Sequence, residues 1–162
     1  MYSKIILRMM DINKGNMEFI NHTLKVYAIA MTIAEIEIED MPKRKTAVIA
    51  AILHDIGILQ SLKKYDSSAG KYQEIEGPPI AKVILEELGY SEDVIKRVCF
   101  LISKHHTYHE IDDIDHRVLI EADFLVNLDE GRFDESTILS AKDKVFETST
   151  GIGLLDKIYL ID

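Results

Sequence analysis

The chain has 162 residues, of which 47% are hydrophobic and 29% are charged. A chain of this length and composition is expected to fold as one domain with a sizeable buried core. Its 19 basic and 28 acidic residues leave a formal net charge of −9, which argues against binding to long nucleic acids or to anionic membranes. Its eight glycines and three prolines are too few for a low-complexity or collagen-like chain.

Three further features of the sequence narrow the class of protein. The longest uncharged runs reach about nine residues, which is roughly half of what a membrane-spanning helix needs. Only three apolar residues separate Lys4 from Arg8, fewer than the roughly 7–15 of a signal-peptide core. Cys99 is the only cysteine, which excludes an internal disulfide and a zinc site made of cysteines alone. We therefore expect a cytoplasmic protein with a reduced thiol.

Apolar residues recur at helical spacing along nearly the whole chain, without the alternation or the turn dipeptides that are typical of hairpins. We therefore predict an all-α fold, with one domain over residues 1–162 that contains six or seven helices. The first long helix is expected to begin near Asn16 and to end in the acidic segment 35–40. A second helix, over about residues 43–59, follows Pro42, which suits the first turn of a helix.

A polar segment, residues 63–77, is predicted to be a loop, and it is our candidate for a lid or a specificity segment because long irregular segments often border functional sites. A third helix is expected to start at Pro78-Pro79 and to end at Gly89, a residue type that favours helix ends. The remaining helices are predicted to start at Ser91, to run from Asp113 or Asp115 to about Leu128, to run from Asp134 to about Phe146, and to cover residues 151–162.

Polar residues fall on the predicted apolar faces of several helices. His22, His54, His105 and Asp123 lie at helical spacing from core residues, and Asp55 directly follows His54. A lone buried histidine usually hydrogen-bonds to a backbone carbonyl or a carboxylate, but a buried ionised aspartate costs much free energy unless it is paired or bound to a metal. Imidazole and carboxylate together suit Mn, Fe, Co, Ni or Zn. Two histidines and two aspartates would leave positions for water and substrate, as in a catalytic metal site.

The order and context of these residues resemble the HD-domain superfamily of metal-dependent phosphohydrolases. The resemblance rests on His22, on the segment Ala50-Ala51-Ile52-Leu53-His54-Asp55-Ile56-Gly57 and on Glu121-Ala122-Asp123. It spans about residues 17–130, and we expect the helices over 134–162 to pack on this region.

The resemblance implies an HD-type helical domain with a divalent metal ion held between helices by His22, His54, Asp55 and Asp123. It also implies that Asp55 approaches the reactive water. Members of the superfamily mostly hydrolyse phosphomonoesters or phosphodiesters, often those of nucleotides.

One position departs from the pattern of the family. Binuclear members have a histidine four residues before the glycine that opens the third helix, and this chain has Gln73 there. Glutamine is a poor ligand for a second transition metal, so we expect a single ion and leave its identity open among Mn, Fe, Co, Ni, Zn and Mg. His105 or His106 matches another second-metal histidine of those members. We hypothesise that His105, Glu74 or Glu76 is instead free to act as a general acid or to position the attacking water.

Lysines near these residues are candidates for binding the negative charge of a phosphate. Lys63, Lys64 and Lys71 lie in the predicted loop, and Lys104 adjoins His105. Because phosphoryl transfer depends on placing and neutralising charge, we expect some of these cations to assist the metal and the others to be solvated surface residues.

Tyrosines of the same loop are candidates for stacking on a nucleobase, because aromatic rings bind bases in this way in nucleic-acid-binding proteins. Tyr65 and Tyr72 lie in the segment 63–77, and Tyr108 is a candidate for the opposite rim of the site. Loop tyrosines are often local packing anchors instead, so both roles stay open here.

These observations predict an enzyme that hydrolyses a phosphate ester bond in a small substrate, a nucleotide or a phosphorylated metabolite, by attack of a metal-activated water. The alternative is a non-catalytic HD-like sensing or scaffold domain that keeps the metal. A helical metalloprotein for electron or oxygen chemistry would usually need more His or Glu-x-x-His pairs. We expect neither a nucleic-acid polymer nor a membrane as partner and leave open whether the chain forms a homodimer.

Overall fold

The structure is a computed structural model that describes residues 2–131 and 133–159. Within these residues it contains nine α-helices and no β-strand, which confirms the all-α fold. The helices are α1 (Ser3–Ile12), α2 (Met17–Glu37), α3 (Met41–Leu53), α4 (Ile58–Tyr65), α5 (Gly70–Glu87), α6 (Glu92–Ile102), α7 (Ile114–Gly131), α8 (Glu135–Val145) and α9 (Ser149–Tyr159).

The described part of the chain has more helices than the predicted six or seven. One addition is α1, whose buried residues Ile5 and Met9 lie one turn apart and face the core. The other arises because the predicted helix over 43–59 is two helices, α3 and α4, which meet at an angle of 44°.

The bend between α3 and α4 is a short turn over residues 54–57. Ile58 N–H donates to the Asp55 carbonyl at 3.0 Å, a three-residue spacing that replaces the α-helical one. Gly57 allows the close approach of α5, because a Cβ atom at Gly57 would lie 2.5 Å from the backbone nitrogen of Gly77. The bend places His54 and Asp55 at the end of the most deeply buried helix.

The prediction that residues 63–77 form a loop is wrong for all but residues 66–69. Helix α4 continues to Tyr65 and ends at Asp66, which has the left-handed φ of 52°, and α5 begins at Gly70. The two helical parts of the segment are stabilised by tertiary partners of their polar side chains: the Tyr65 and Tyr72 rings stack with centroids 4.2 Å apart, and Glu76 binds Lys64.

The prediction that α5 starts at Pro78-Pro79 is also wrong, because both prolines lie inside this helix. They cannot donate hydrogen bonds to the preceding turn, but buried residues continue on both sides of them. These residues are Gln73, Glu76, Gly77, Ala81, Ile84 and Leu85. Packing of that face against the rest of the protein therefore keeps one helix through the prolines. Gly89, with φ of 75°, follows the end of α5 as predicted.

The other predicted boundaries agree with the structure to within a few residues. Asp134 caps α8 by accepting a hydrogen bond from Thr137 N–H at 2.9 Å, and α6 begins directly after Ser91. Helix α7 begins after Asp113 and extends to Gly131, beyond the predicted end. The last helix is α9, and residues 160–162 of its predicted span lie outside the described residues.

Helix α3 lies at the centre of the fold. Its residues from Thr46 to Leu53 are all buried, and it packs against α1, α2, α6 and α7. A second apolar cluster joins α8 and α9 to α7 through residues such as Ile120, Ile138 and Leu155.

No single helix within residues 2–131 and 133–159 is long and apolar enough to cross a membrane. Within the same ranges, α3 and α4 taken together across their bend are the one pair that reaches the required length and hydropathy.

Candidate metal centre

Four parts of the fold bring imidazoles and carboxylates to one place, which we call the histidine cluster. Helix α2 contributes one histidine, the bend after α3 contributes the His-Asp pair, the turn after α6 contributes two histidines, and α7 contributes one aspartate. The members of the histidine cluster are His22, His54, Asp55, His105, His106 and Asp123.

The four residues named as ligands from the sequence converge. His22 Nε2 lies 3.2 Å from both His54 Nε2 and Asp123 Oδ1. Asp55 Oδ2 lies 3.5 Å from the Nε2 atoms of His22 and His54. One ligand atom each of His22, His54 and Asp123 fall within 4.8 Å of one another, a separation that a single cation can span.

Three imidazoles of the histidine cluster are held so that Nε2 faces its centre. His54 Nδ1 lies 2.9 Å from the Ala51 carbonyl and His105 Nδ1 lies 2.6 Å from the Ile102 carbonyl. His22 Nδ1 lies 2.8 Å from Glu130 Oε2. Because these oxygens only accept, Nδ1 donates, and the neutral ring keeps a lone pair on Nε2. Metal-binding histidines are oriented in this way.

Three buried polar atoms of the cluster have no hydrogen-bond partner among the described residues: Asp123 Oδ2, His105 Nε2 and His106 Nε2. Buried polar groups without partners are rare and cost free energy. A bound cation would satisfy them, and imidazole with carboxylate is a donor set for first-row divalent metals. The residues present therefore fit the divalent metal ion that the resemblance to the HD-domain superfamily implies.

For His54, Asp55 and Asp123 the charges of neighbouring groups outweigh the effect of burial on the pKa, whereas burial, followed by the charge of His105, lowers the pKa of His106 to about 4. Burial opposes charge on each group, but Asp55 and Asp123 raise the pKa of His54 to about 9. His54 and His105 lower the pKa of Asp55 to about 2, and hydrogen bonds from His22 and His54 hold the pKa of Asp123 well below its ordinary value. Without metal the cluster retains protons that a bound divalent cation would displace, so metal binding releases protons.

Tyr108 borders the histidine cluster, as the sequence suggested for a rim residue. Its ring packs edge-on against Phe124 with centroids 5.4 Å apart, and its hydroxyl lies 3.4 Å from His106 Nδ1. Burial, followed by the negative charges of Asp123, Glu74 and Asp55, raises the pKa of Tyr108 to about 12. The hydroxyl therefore stays protonated at neutral pH.

The two glutamates proposed from the sequence occupy different surroundings. Glu74 Oε1 accepts hydrogen bonds from His106 N–H at 3.1 Å and from the Thr107 hydroxyl at 3.0 Å, and it thereby anchors the turn that carries both histidines. Glu76 is buried and accepts hydrogen bonds from Lys64 Nζ at 2.8 Å and from the Tyr65 hydroxyl at 2.9 Å. The contacts of Glu76 thus belong to a clasp between α4 and α5.

The candidate substrate-binding residues have partners of their own. Lys104 Nζ lies 2.9 Å from Glu110 Oε2, and Lys64 belongs to the clasp with Glu76. Lys71 Nζ lies 4.7 Å from the centre of the Tyr72 ring, whose face also stacks on Tyr65. These side chains therefore already have partners within the protein. Whether they bind a substrate stays a prediction. Lys63 lies in the exposed last turn of α4.

Two residues that shape the cluster were missed at the sequence level. Glu130 orients His22 and lies seven residues after Asp123, two helical turns along the same face of α7, so its spacing was a usable signal. Gly70 lies against His106, and a Cβ atom there would come within 2.5 Å of His106 Cδ2. No sequence pattern pointed to that contact, because the two residues belong to separate elements.

Comparisons with known proteins agree with this architecture. The sequence profile of the HD domain matches residues 19–142. The fold is similar to the crystal structure of a predicted HD superfamily hydrolase from an uncultured Thermotogales bacterium, with a TM-score of 0.72 and 23% sequence identity over 98% of this chain and 84% of that one. No match was found among curated proteins. The matching profile covers most of the chain, and the protein therefore belongs to the HD-domain family.

Proposed function

We propose that this protein is a metal-dependent phosphohydrolase that cleaves a phosphate ester bond in a small substrate, either a nucleotide or a phosphorylated metabolite. The observation that supports this proposal most directly is the convergence of four side chains, His22, His54, Asp55 and Asp123. In addition, the buried Asp123 Oδ2 has no hydrogen-bond partner in the described part of the chain. Membership of the HD-domain family supports the class of reaction.

His22 and His54 would hold the metal through Nε2, and Asp123 and Asp55 would hold it through carboxylate oxygens. When bound, a divalent ion polarises a phosphoryl oxygen and lowers the pKa of water. Glu130 and the Ala51 carbonyl keep the two imidazoles in the orientation that this binding needs. The burial of His54 and Asp123 excludes bulk water and strengthens electrostatic interactions inside the site.

Asp55 is placed to handle the proton of the attacking water. Its Oδ2 faces His22 and His54, while its Oδ1 lies 3.5 Å from His105 Nε2. The carboxylate can therefore accept a proton from water or orient it, and general-base catalysis of this kind contributes about 10²–10⁴-fold in rate. With one ion bound, His105 is the candidate donor of a proton to the leaving oxygen.

The substrate would approach past Tyr108, whose protonated hydroxyl can donate a hydrogen bond to a phosphoryl oxygen. The net charge of −9 favours a small phosphorylated molecule, clamped locally by metal and lysine, over a nucleic-acid polymer or a membrane. The composition also supports a cytoplasmic location.

The test is a screen of the protein loaded with Mn, Co, Fe, Ni, Zn or Mg against nucleotides, phosphomonoesters and phosphodiesters. We expect turnover that falls by about 10²–10⁴-fold in Asp55→Asn and is unchanged in Asp11→Asn, a matched change on the exposed face of α1. If metal binds and no substrate is turned over, the sensing or scaffold alternative is supported. If Asp55→Asn keeps full turnover, the role assigned to Asp55 is wrong.

A further inference from the structure

A groove with a volume of about 370 Å³ lies between α7 and α8, and we call it the α8 groove. Ligand pockets in proteins span about 300–1,000 Å³, so the α8 groove suits a small molecule or one part of it. Its apolar lining comes from both helices, and its polar groups are two hydroxyls and one amine of α8. These lining residues are Phe124, Ala141 and Val145, and Thr137, Ser140 and Lys144.

The α8 groove is continuous with the rim of the metal centre through Phe124. The Phe124 ring packs edge-on against Tyr108 with centroids 5.4 Å apart, and the Tyr108 hydroxyl lies 3.4 Å from His106 Nδ1. Tyr108 is 40% exposed, so solvent reaches this rim. A molecule whose phosphate lies at the metal centre can therefore extend past Tyr108 into the α8 groove.

The lining of the α8 groove matches the chemistry of a nucleobase. A base has a flat face that packs on aromatic and apolar side chains and a polar edge that both donates and accepts hydrogen bonds. Serine and threonine hydroxyls can donate and accept, and a lysine amine can donate. A sugar phosphate without a base would leave the apolar lining uncovered. The Tyr65 and Tyr72 rings, which the sequence suggested for base stacking, already stack on one another.

A larger cavity on the other flank of α7 is less suitable for a phosphorylated molecule. It has a volume of about 820 Å³, and its lining includes the carboxylates of Glu18, Asp129 and Glu130. Its one lysine, Lys25, is already paired with the two acids of α7. The excess negative charge of this cavity would repel a phosphate, whereas the charged residue that lines the α8 groove is a lysine.

We propose that the α8 groove binds the nucleobase of the substrate, so that the ester cleaved at the metal centre is that of a nucleotide. This inference rests on the proposed function and deepens it, because it selects the nucleotide over other phosphorylated metabolites. Phe124 and Val145 pack against the base, and the hydroxyls of Thr137 and Ser140 bind its polar edge. The ribose spans the distance past Tyr108.

The experiment measures nucleoside binding by isothermal titration calorimetry. Adenosine, guanosine, cytidine, uridine and free ribose are titrated into the full chain loaded with Mn(II). Nucleosides contain the base but no phosphate ester, so binding is measured independently of hydrolysis. We expect at least one nucleoside to bind and ribose not to bind.

Ser140→Trp fills the α8 groove and should weaken nucleoside binding by at least about tenfold, the effect of losing contacts with a base. The matched control is Leu139→Trp, the same change at the neighbouring residue of α8, which is 40% exposed and lies outside the groove lining. This control should keep the wild-type affinity. Thr137→Trp, at an exposed lining position one turn earlier, repeats the test if Ser140→Trp fails to fold.

A second readout compares two substrates that differ only in the base. These are the 5′-monophosphate of the nucleoside that binds and ribose 5-phosphate, and the measured quantity is the ratio of their kcat/KM values. Ser140→Trp should lower this ratio by at least about tenfold and leave the hydrolysis of ribose 5-phosphate unchanged, because the metal centre is intact. An equal fall for both substrates would contradict the assignment of the groove.

The outcomes separate this inference from the proposed function. If no nucleoside binds the wild type, or if folded Ser140→Trp binds it with wild-type affinity, the assignment of the α8 groove is overturned. A wild-type dimer that Ser140→Trp dissociates, without nucleoside binding, also overturns it and assigns the groove to a second copy of the chain. If other phosphate esters are nevertheless hydrolysed, the proposed function stands. If a nucleoside binds in the groove and no ester is hydrolysed, the groove stands and the proposed function fails.

Discussion

Two clusters of charged and polar side chains with buried members differ in whether protein atoms alone satisfy them. One is the histidine cluster. The other, which we call the arginine cluster, joins α3, α6 and the start of α7 and consists of Thr46, Arg97, Asp112, Asp115 and His116.

The arginine cluster is complete. Asp115 Oδ2 accepts hydrogen bonds from Arg97 Nε at 2.8 Å and from the Thr46 hydroxyl at 3.0 Å. Arg97 Nη1 also donates to Asp112 Oδ2 at 2.6 Å. His116 is as deeply buried as His105, but both of its ring nitrogens lie near acceptors, Asp112 Oδ1 at 3.2 Å and the Lys104 carbonyl at 3.3 Å.

The histidine cluster is incomplete, since three of its buried atoms have no hydrogen-bond partner in the described ranges. Burial of histidine and aspartate therefore does not by itself indicate a functional site. The feature that distinguishes the two clusters is the presence of buried polar atoms without a hydrogen-bond partner. In a structural cluster the protein atoms satisfy one another, whereas in a binding site some polar atoms remain available to a ligand. The following predictions test whether the two clusters differ in this way.

The largest expected effect is on activity, from the aspartate of α7 in the histidine cluster. Asp123→Asn removes a negative charge shared with His22 and His54, and we expect stoichiometric metal binding to be lost and turnover to fall by about 10²–10⁴-fold. Elemental analysis and steady-state kinetics measure both. Unchanged metal content would remove Asp123 from the ligand set.

The matching change on the same helix should affect stability instead. Asp115→Asn breaks a buried ion pair with Arg97, and we expect the free energy of unfolding to fall by about 3 kcal/mol. This value is at the lower end of the range for buried pairs because the Arg97 side chain is 26% accessible. Urea unfolding measures it, and the folded fraction should bind metal like the wild type. A simultaneous loss of metal would mean that the two clusters are coupled.

Metal should stabilise the fold through the histidine cluster alone. A ligand that binds only the folded state at about 100 times its dissociation constant adds about 2.7 kcal/mol. Addition of metal to chelator-treated protein should therefore raise the melting temperature of the wild type and of Asp115→Asn. His54→Gln should show little or no shift, and an equal shift in His54→Gln would place the bound metal elsewhere.

A smaller effect is expected from the residue that orients His22. Glu130→Gln weakens the acceptor of the His22 Nδ1–H bond, and loss of such supporting contacts lowers metal affinity by about 10–100-fold. Competition with a chelator of known affinity measures the change. Asp156→Asn, which alters a carboxylate of α9 paired with Lys142, is the control and should leave affinity unchanged.

The smallest expected effect is on the pH dependence of stability, from the clasp between α4 and α5. The Glu76 carboxylate in this clasp has hydrogen-bond partners, as the carboxylates of the arginine cluster do, but its partner Lys64 is half exposed. Hydrogen bonds from Lys64 and then Tyr65 lower the pKa of Glu76 below its ordinary value of 4.5. An acid whose pKa is lowered by folding stabilises the fold above its unfolded pKa, and this contribution disappears as pH falls through the folded pKa. The stability difference between wild type and Glu76→Gln should therefore shrink between neutral pH and about pH 3. A constant difference would show that the carboxylate charge is unimportant.

Local patterns determined the class of fold and pointed to most members of the histidine cluster. Helical spacing places His22 on the core face of α2 and Asp123 on that of α7, because side chains three and four positions apart share a face. The apolar run that ends in His54-Asp55 marks a buried helix end. These features depend on neighbours within a few residues, so they can be read without a structure.

The tertiary structure alone decided how distant elements complete the site. Most of residues 63–77 are helical because Tyr65, Tyr72 and Glu76 have partners across the turn between α4 and α5. His105 and His106 reach the cluster because α5 supports the turn that carries them. Glu74 accepts a hydrogen bond from His106 N–H, and Gly70 leaves space for the His106 ring. Such contacts depend on the distances between helices after packing, which no periodicity of a single segment encodes.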